Sequence, residues 1–293
     1  MTKIIAAADL FLEEYAGGAE LTLESILELS PHEVVKTKTS QISKDFIDQN
    51  QNNFWIFGNF ASFSRDLLIY FIKKKINYTV FEYDYKFCSH RSPEKHLFEK
   101  NEECSCHDQR HGKEVALFLH KSSFLWWMSQ QQKELYESKF PFLSEKKESY
   151  VLSSTFSERD TSFMKALTSL PNRNSNGQYL ILNSDSWIKG KQDCIDFANK
   201  NNFPYRLVSG LQRQDFLRLM SESKGLIFLP PGKDTCPRLA IEARLLGCEL
   251  RMNVNVQHAQ EKWFLKNPIE IYEYLDNQKK YFWKTIEAMI NAE

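Results

Sequence analysis

No apolar run in this chain approaches the roughly 20 residues that a bilayer span needs. The opening MTKIIAAADLFLEEYAGG is too acidic, and its apolar part too short, for a secretory signal, so the cytoplasm is the expected location. Charge of one sign is lacking too: 38 basic residues balance 38 acidic ones. The first 150 residues hold 19 basic and 22 acidic side chains and the remainder 19 and 16. That distribution offers no broad basic face for duplex nucleic acid, while the slight positive excess of the second half suits a phosphate-bearing ligand. The run Lys73-Lys74-Lys75 reads as the solvated end of a helix. No G-x-G-x-x-G follows the first apolar strand, which disfavours a nicotinamide cofactor. Internal repeats and low-complexity tracts are absent. What remains is an ordinary globular composition, 42% hydrophobic and 26% charged over 293 residues, with room for two domains.

The most informative stretch is 225–248, GLIFLPPGKDTCPRLAIEARLLGC. A short apolar run over 226–229 has the composition of a buried strand. A Pro-Pro-Gly turn follows, and a helix is expected from about Thr235, with Pro237 in its first turn and Gly247 ending it. A helix start emerging from such a loop is an anion site, because its N–H groups and dipole attract phosphate. Asp234 precedes that start and Glu242 lies about two turns in, roughly on the same side. Either these acids bind sugar hydroxyls, or Asp234 is a helix cap and Glu242 a solvated position.

The run D-T-C-P-R-L-A-I-E-A-R-L-L-G-C resembles the E-x7-E signature of retaining glycosyltransferases of the GT-B fold, family 4, which reads E-x-F-G-x-x-x-x-E-A-x-x-x-G. Asp234 falls on the first acid, Glu242 on the second, Ala243 on the Ala and Gly247 on the last Gly. The resemblance implies that Asp234 contacts the donor sugar and Glu242 the donor ribose, with the backbone between them on the diphosphate. It also implies a loss, since Pro237 stands where the family's Gly would donate an N–H; Arg238 beside it is a candidate replacement charge. Lys189-Gly190 is similar to the K-G of the family's R-x4-K-G phosphate clamp, with Ser184 in place of the Arg. Near the N-terminus, Gly17-Gly18-Ala19-Glu20 after the first strand resembles the family's G-G-A-E, which lines the cleft near phosphates and acceptor. Gly17, Gly18, Lys189, Thr235, Arg238 and Glu242 are therefore the candidate donor-binding residues.

Elsewhere strands and helices alternate, as a parallel sheet of the Rossmann kind requires. Strands are expected over 3–7, 32–37, 53–57, 78–83, 124–128 and 150–154, then 178–183, 206–209, 226–229 and 250–256. Helices are expected over 21–29, 63–75, 113–125, 130–138, 157–170, 191–200, 214–221 and 272–290. This gives an N-terminal Rossmann-like acceptor domain over 1–154, a crossing helix and linker over 155–177, and a C-terminal Rossmann-like nucleotide-sugar domain over 178–267. A helix over 268–293 would return to the first domain. The clearest linker is Pro171-Asn172-Arg173-Asn174-Ser175-Asn176-Gly177.

An insertion over 84–112 holds Cys88, Cys104 and Cys106, together with His90, His96, His107 and His111. Cys88, Cys104, Cys106 and His107 are the candidate ligands of a structural zinc, although C-x-C is tighter than the usual zinc spacing. An irregular loop with free thiols and a disulfide are the other readings, the last disfavoured in a reducing compartment. Because the insertion follows the end of a strand, Asp84, Arg91 and His96 are candidates for acceptor contacts.

The fold expected is α/β, two Rossmann-like domains facing each other across a cleft. The activity the resemblance implies is retaining, metal-independent transfer of a sugar from a nucleotide-diphosphate sugar to a hydroxyl acceptor, a glycan above all. Three alternatives stand beside it: a same-fold transferase acting on a modified DNA base, a non-catalytic sugar-nucleotide binder, and an unrelated α/β protein with a zinc loop. On the first reading, Glu242→Ala should weaken donor binding and leave the fold intact.

Overall fold

The computed structural model describes residues 3–170 and 175–291. The chain divides into two compact units. Unit 1 runs to Thr155 and takes in the chain again from Leu275; unit 2 is Phe156–Tyr274. Four linker residues, Pro171, Asn172, Arg173 and Asn174, lie outside the described residues. Among the described residues, no helix is long and apolar enough to cross a membrane.

Unit 1 alternates strand and helix: β1 Ile4–Ala8, α1 Gly18–Leu27, β2 Val34–Lys38, α2 Lys44–Gln49, β3 Phe54–Phe57, α3 Arg65–Lys73 and β4 Tyr78–Glu82. It continues with α4 Pro93–Lys100, α5 Arg110–Lys121, β5 Phe124–Trp127, α6 Gln130–Lys139 and β6 Ser149–Val151. The six strands are all parallel, in the order β2-β1-β3-β4-β5-β6. A parallel sheet is covered on both faces, which is why β1, β3, β4 and β5 are buried at every position. One side of the core is aromatic: Trp55, Phe57, Phe71, Tyr78 and Phe118 pack mostly edge to face. The Tyr78 hydroxyl is satisfied by donating to the Phe118 carbonyl at 2.7 Å. Serines start four helices: Ser43, Ser64, Ser92 and Ser129 each accept an N–H of the first turn.

Unit 2 contains α7 Glu158–Thr168, β7 Tyr179–Leu182, α8 Lys191–Lys200, β8 Tyr205–Val208, α9 Arg213–Ser221, β9 Gly225–Phe228, α10 Arg238–Leu245 and β10 Glu249–Met252. Its four-stranded parallel sheet has the order β10-β9-β7-β8. The last helix, α11 Pro268–Ile290, begins in unit 2 and ends in unit 1.

Several boundaries differ from expectation. α1 starts at Gly18 rather than 21, because Gly17 already accepts the Leu21 N–H. Within 84–112, Ser92-Pro93 opens the unanticipated α4, so the insertion is partly helical. The helix after β9 starts at Arg238, not Thr235, with Pro237 as its N-cap residue. Asp234 instead forms an isolated parallel bridge to Val256, so the residues up to Pro237 are not yet helical. That same bridge shows why β10 ends at Met252 although the sequence suggested pairing to 256: beyond it, the chain turns to meet the loop.

Candidate active site

In open α/β sheets, ligands bind beyond the carboxyl ends of the strands where the strand order reverses. In unit 2 that place lies between β7 and β9, which are neighbours in the sheet although β8 separates them in sequence. The loop after β7 carries Lys189 and Gly190; the loop after β9 carries Asp234 and Thr235. The two loops touch. Gly190 has φ +58, and a Cβ on it would stand 2.1 Å from the Leu229 carbonyl oxygen. Only glycine provides both the left-handed backbone and this approach. Just beyond, Lys189 Nζ donates to Asp234 Oδ2 at 3.3 Å and lies 5.4 Å from the centre of the Phe228 ring.

The β9 loop is held from its other side by residues that sequence reading passed over. The side-chain amides of Asn253 and Asn255 both donate to the Pro230 carbonyl, at 2.9 and 2.8 Å. The Asp234 N–H donates to the Asn255 carbonyl at 2.9 Å, and the Gln257 N–H to the Asp234 carbonyl at 3.1 Å. Asp234 thus has a fixed backbone and a side chain turned to a lysine. The spacing N-x-N after a strand was the available signal.

Glu242 is only 2% exposed and sits in a four-residue ion cluster. Its Oε1 accepts from Arg213 Nη2 at 2.8 Å and lies 3.6 Å from Arg238 Nε. Asp160, on α7, accepts from Arg213 Nη2 at 2.8 Å and from Arg238 Nη2 at 3.3 Å. The Arg238 guanidinium also packs 3.9 Å from the centre of the Phe156 ring. Burial works against the Arg213 charge, but Glu242 and Asp160 more than compensate and hold its pKa above the usual arginine value. Full burial pushes Arg238 down to about 10, with Glu242 and Asp160 opposing, so it stays charged at neutral pH. Arg238 was the expected phosphate contact; the structure turns its side chain to Asp160, Glu242 and Phe156. Arg213 and Asp160, absent from the candidate set, are the charges that complete the cluster.

Unit 1 reverses strand order between β1 and β3. Asp9, after β1, gathers the loops there: its carboxylate accepts the N–H groups of Ala61 and Ser62 at 2.8 and 3.0 Å and the Thr39 hydroxyl. Gly17 ends the loop after β1 as the N-cap residue of α1 and Gly18 opens that helix; a Cβ on Gly17 would stand 2.4 Å from the Glu20 carboxylate. Arg91 reaches the same edge, donating to Asn59 at 3.0 Å and to Asp84. A cavity of about 310 Å³ nearby is lined by Phe60, Phe63, Lys86, Ser89, Arg91 and His111 among others.

The insertion brings Cys88, Cys104 and Cys106 together with His96, all four ligand atoms lying within 4.8 Å of one another. The fourth member is therefore His96 and not His107. α4 folds back so that His96 Nδ1 meets the sulfurs, whereas the His107 ring faces Phe87 and Phe140 of the aromatic core. All six cysteines are free, which sets the disulfide reading aside.

No family model matches this chain, and no curated protein matches it by sequence. Solved structures do match. Anabaena HepE, solved with UDP and glucose, superposes at TM-score 0.57 with 10% identity over 100% of both chains. The chain has the fold of the GT-B glycosyltransferases. Sucrose-phosphate synthase from Thermosynechococcus elongatus shares it at TM-score 0.59 and 9% identity, over 100% of this chain and 98% of that one. So does an α-glucosyltransferase solved with UDP-glucose and DNA containing an abasic site, at TM-score 0.52 and 12% identity, over 97% and 90%. Within the GT-B fold, the Lys189–Asp234 pair and the Glu242 cluster both belong to unit 2.

Proposed function

We propose that this chain is a glycosyltransferase that moves a sugar from a nucleotide-diphosphate sugar to a hydroxyl acceptor, with retention of configuration and without a catalytic metal. The observation that carries the reading is the Lys189–Asp234 pair at the strand-order reversal of unit 2, 45 positions apart in sequence. In this reading Lys189 and the first N–H groups of α10 meet the diphosphate, and Asp234 accepts hydrogen bonds from the sugar. Glu242 takes the ribose hydroxyls through Oε2. Arg213 and Arg238 act as positioning residues, holding Oε1. The bond from the anomeric carbon to the diphosphate oxygen breaks, and a bond to the acceptor oxygen forms on the same face. The acceptor's proton leaves with the diphosphate. The fixed donors of unit 2 stabilise the charge developing on that leaving group, the kind of term that dominates many enzymatic rates. Unit 1 would supply the acceptor contacts through Gly17, Gly18 and the Asp9–Arg91 edge. The acidic balance of 1–150 favours a glycan over duplex DNA as acceptor.

The test is binding, then turnover. Calorimetry with uridine, guanosine, adenosine and cytidine diphosphates should find one that binds, and Lys189→Ala should weaken it about tenfold to a hundredfold, as loss of a charged hydrogen bond does. Glu242→Gln is the informative partner variant. Glu242→Ala would leave two arginines around a void and cost roughly 3–5 kcal/mol of stability, confounding the reading. Proton NMR of the product from the matching sugar donor reports the anomeric outcome. If no nucleoside diphosphate binds, or Lys189→Ala binds as tightly as the parent, the proposal fails.

A further inference from the structure

The Cys/His cluster of unit 1 lies outside the residues assigned to the proposed transfer. Yet it is too well organised for an ordinary loop. Cys88, Cys106 and His96 are buried, and Cys104 is partly exposed. His96 Nδ1 lies 3.8 Å from Cys88 Sγ and 3.5 Å from Cys106 Sγ. A tetrahedral zinc, with sulfur at about 2.3 Å and nitrogen at about 2.0 Å, has ligand-to-ligand edges of about 3.5–3.8 Å. The His96–Cys106 separation matches the nitrogen–sulfur edge, the His96–Cys88 separation is slightly longer, and all four ligand atoms fall within 4.8 Å of one another, so a small closing movement would complete the tetrahedron.

The surroundings also match what a thiolate–metal site needs. The Ser89 hydroxyl adds a contact at 3.7 Å to Cys106. His96 presents Nδ1 to the sulfurs, and its other nitrogen, Nε2, faces Glu102 at 3.8 Å. At that distance the carboxylate makes no direct hydrogen bond, but its charge favours the proton on Nε2 and leaves Nδ1 free to ligate.

We propose that Cys88, His96, Cys104 and Cys106 bind one zinc ion, four-coordinate and closed, as a structural site. Binding releases up to three thiol protons to solvent, and the partly exposed Cys104 marks the way in. The site cross-links the chain on both sides of α4. It thereby fixes Arg91, whose N–H donates to the Cys88 carbonyl at 2.9 Å and whose φ is +57, at the unit 1 edge beside Asp84 and Asn59.

Zinc analysis of the full chain purified without chelator should give close to one ion per chain. Cobalt(II) in its place should give the intense visible bands of a tetrahedral site and thiolate-to-cobalt charge transfer in the near ultraviolet. Cys104→Ser and His96→Ala should lose the metal, and His107→Ala should keep it. Chelation should speed amide exchange about tenfold or more across 84–112, against little change in unit 2. A reduced full chain that neither carries zinc nor takes it up from solution would overturn the proposal. So would an octahedral cobalt spectrum, or a His107→Ala chain that loses metal while His96→Ala retains it. Should the ligand variants fail to fold, the cobalt spectrum of the parent chain and the His107→Ala result still decide.

Discussion

Glu82 closes β4 with no exposed surface. Its carboxylate accepts from the Tyr136 hydroxyl at 3.0 Å and the Lys86 N–H at 3.1 Å, with Lys86 Nζ at 3.5 Å. Burial raises its pKa from 4.5 to about 7; the Lys86 charge opposes the rise and Asp84 adds to it. A carboxyl whose folded value lies above its unfolded one binds protons more tightly in the native state. Its contribution is complete below about pH 4.5 and is lost as pH rises through 7. The shift corresponds to at most roughly 3 kcal/mol. Urea unfolding of unit 1 at pH 5 and pH 8 should therefore show a stability loss at the higher pH that Glu82→Gln largely removes. Equal pH slopes in parent and variant would refute this assignment. The same scale accounts for the unit 2 cluster, where two arginines and two carboxylates neutralise one another out of water. Such a group costs about as much desolvation as it gains in attraction, so its value lies in fixing geometry.

At the scale of elements, the contact between the loops after β7 and β9 decides where Lys189 stands. Gly190 is the N-cap of α8, with φ 58 and ψ 36, and its missing side chain is what lets the Leu229 carbonyl approach. Gly190→Ala must strain the backbone and push the β9 loop away, at a cost of about 1–3 kcal/mol. The lysine should move off Asp234, so diphosphate affinity should fall together with the melting temperature. A Gly190→Ala chain that melts and binds like the parent would show that the loops do not need this contact. The Cys/His cluster has the same logic. α4 exists because Ser92 caps it and Pro93 occupies its first turn, and that one short helix carries His96 back to Cys88.

For the whole molecule, the division into units has a consequence for the C-terminus. Unit 1 is completed only by the chain from Leu275 onward. There Trp283 Nε1 donates to the Ile26 carbonyl at 2.7 Å, and Phe282 packs on Phe81 and Trp126 at 5.2 and 5.0 Å between ring centres. Trp283→Ala should cost about 3–5 kcal/mol. A chain ended after Tyr274 should lose the near-ultraviolet circular dichroism of unit 1 and become rapidly digested there. Cooperative melting of the shortened chain at the parent temperature would contradict the division.

The alternation of strand and helix, the parallel sheets and the strand–loop–helix over 225–248 were legible because they are local. Apolar runs such as FWIF and GLIF, bounded by turn formers, report burial on both faces directly. Less local features escaped. Pro237 looked like a first-turn residue, yet the Asp234–Val256 bridge delays the helix to Arg238. His107 adjoins Cys106 in sequence, but helix geometry chooses His96, ten positions from Cys106, as the fourth member of the cluster. Arg213 and Asp160 stand 53 positions apart, and only the packing of α7 against α9, and of α9 against α10, brings them to Glu242. Residue order by itself thus determined the ten strands and most of the helices, though not the short α2 and α4, and it marked the acids and glycines near the strand ends. Tertiary structure alone decided which charges meet, because contact across a sheet or between helices depends on strand order and packing, and neither leaves a periodic trace in the chain.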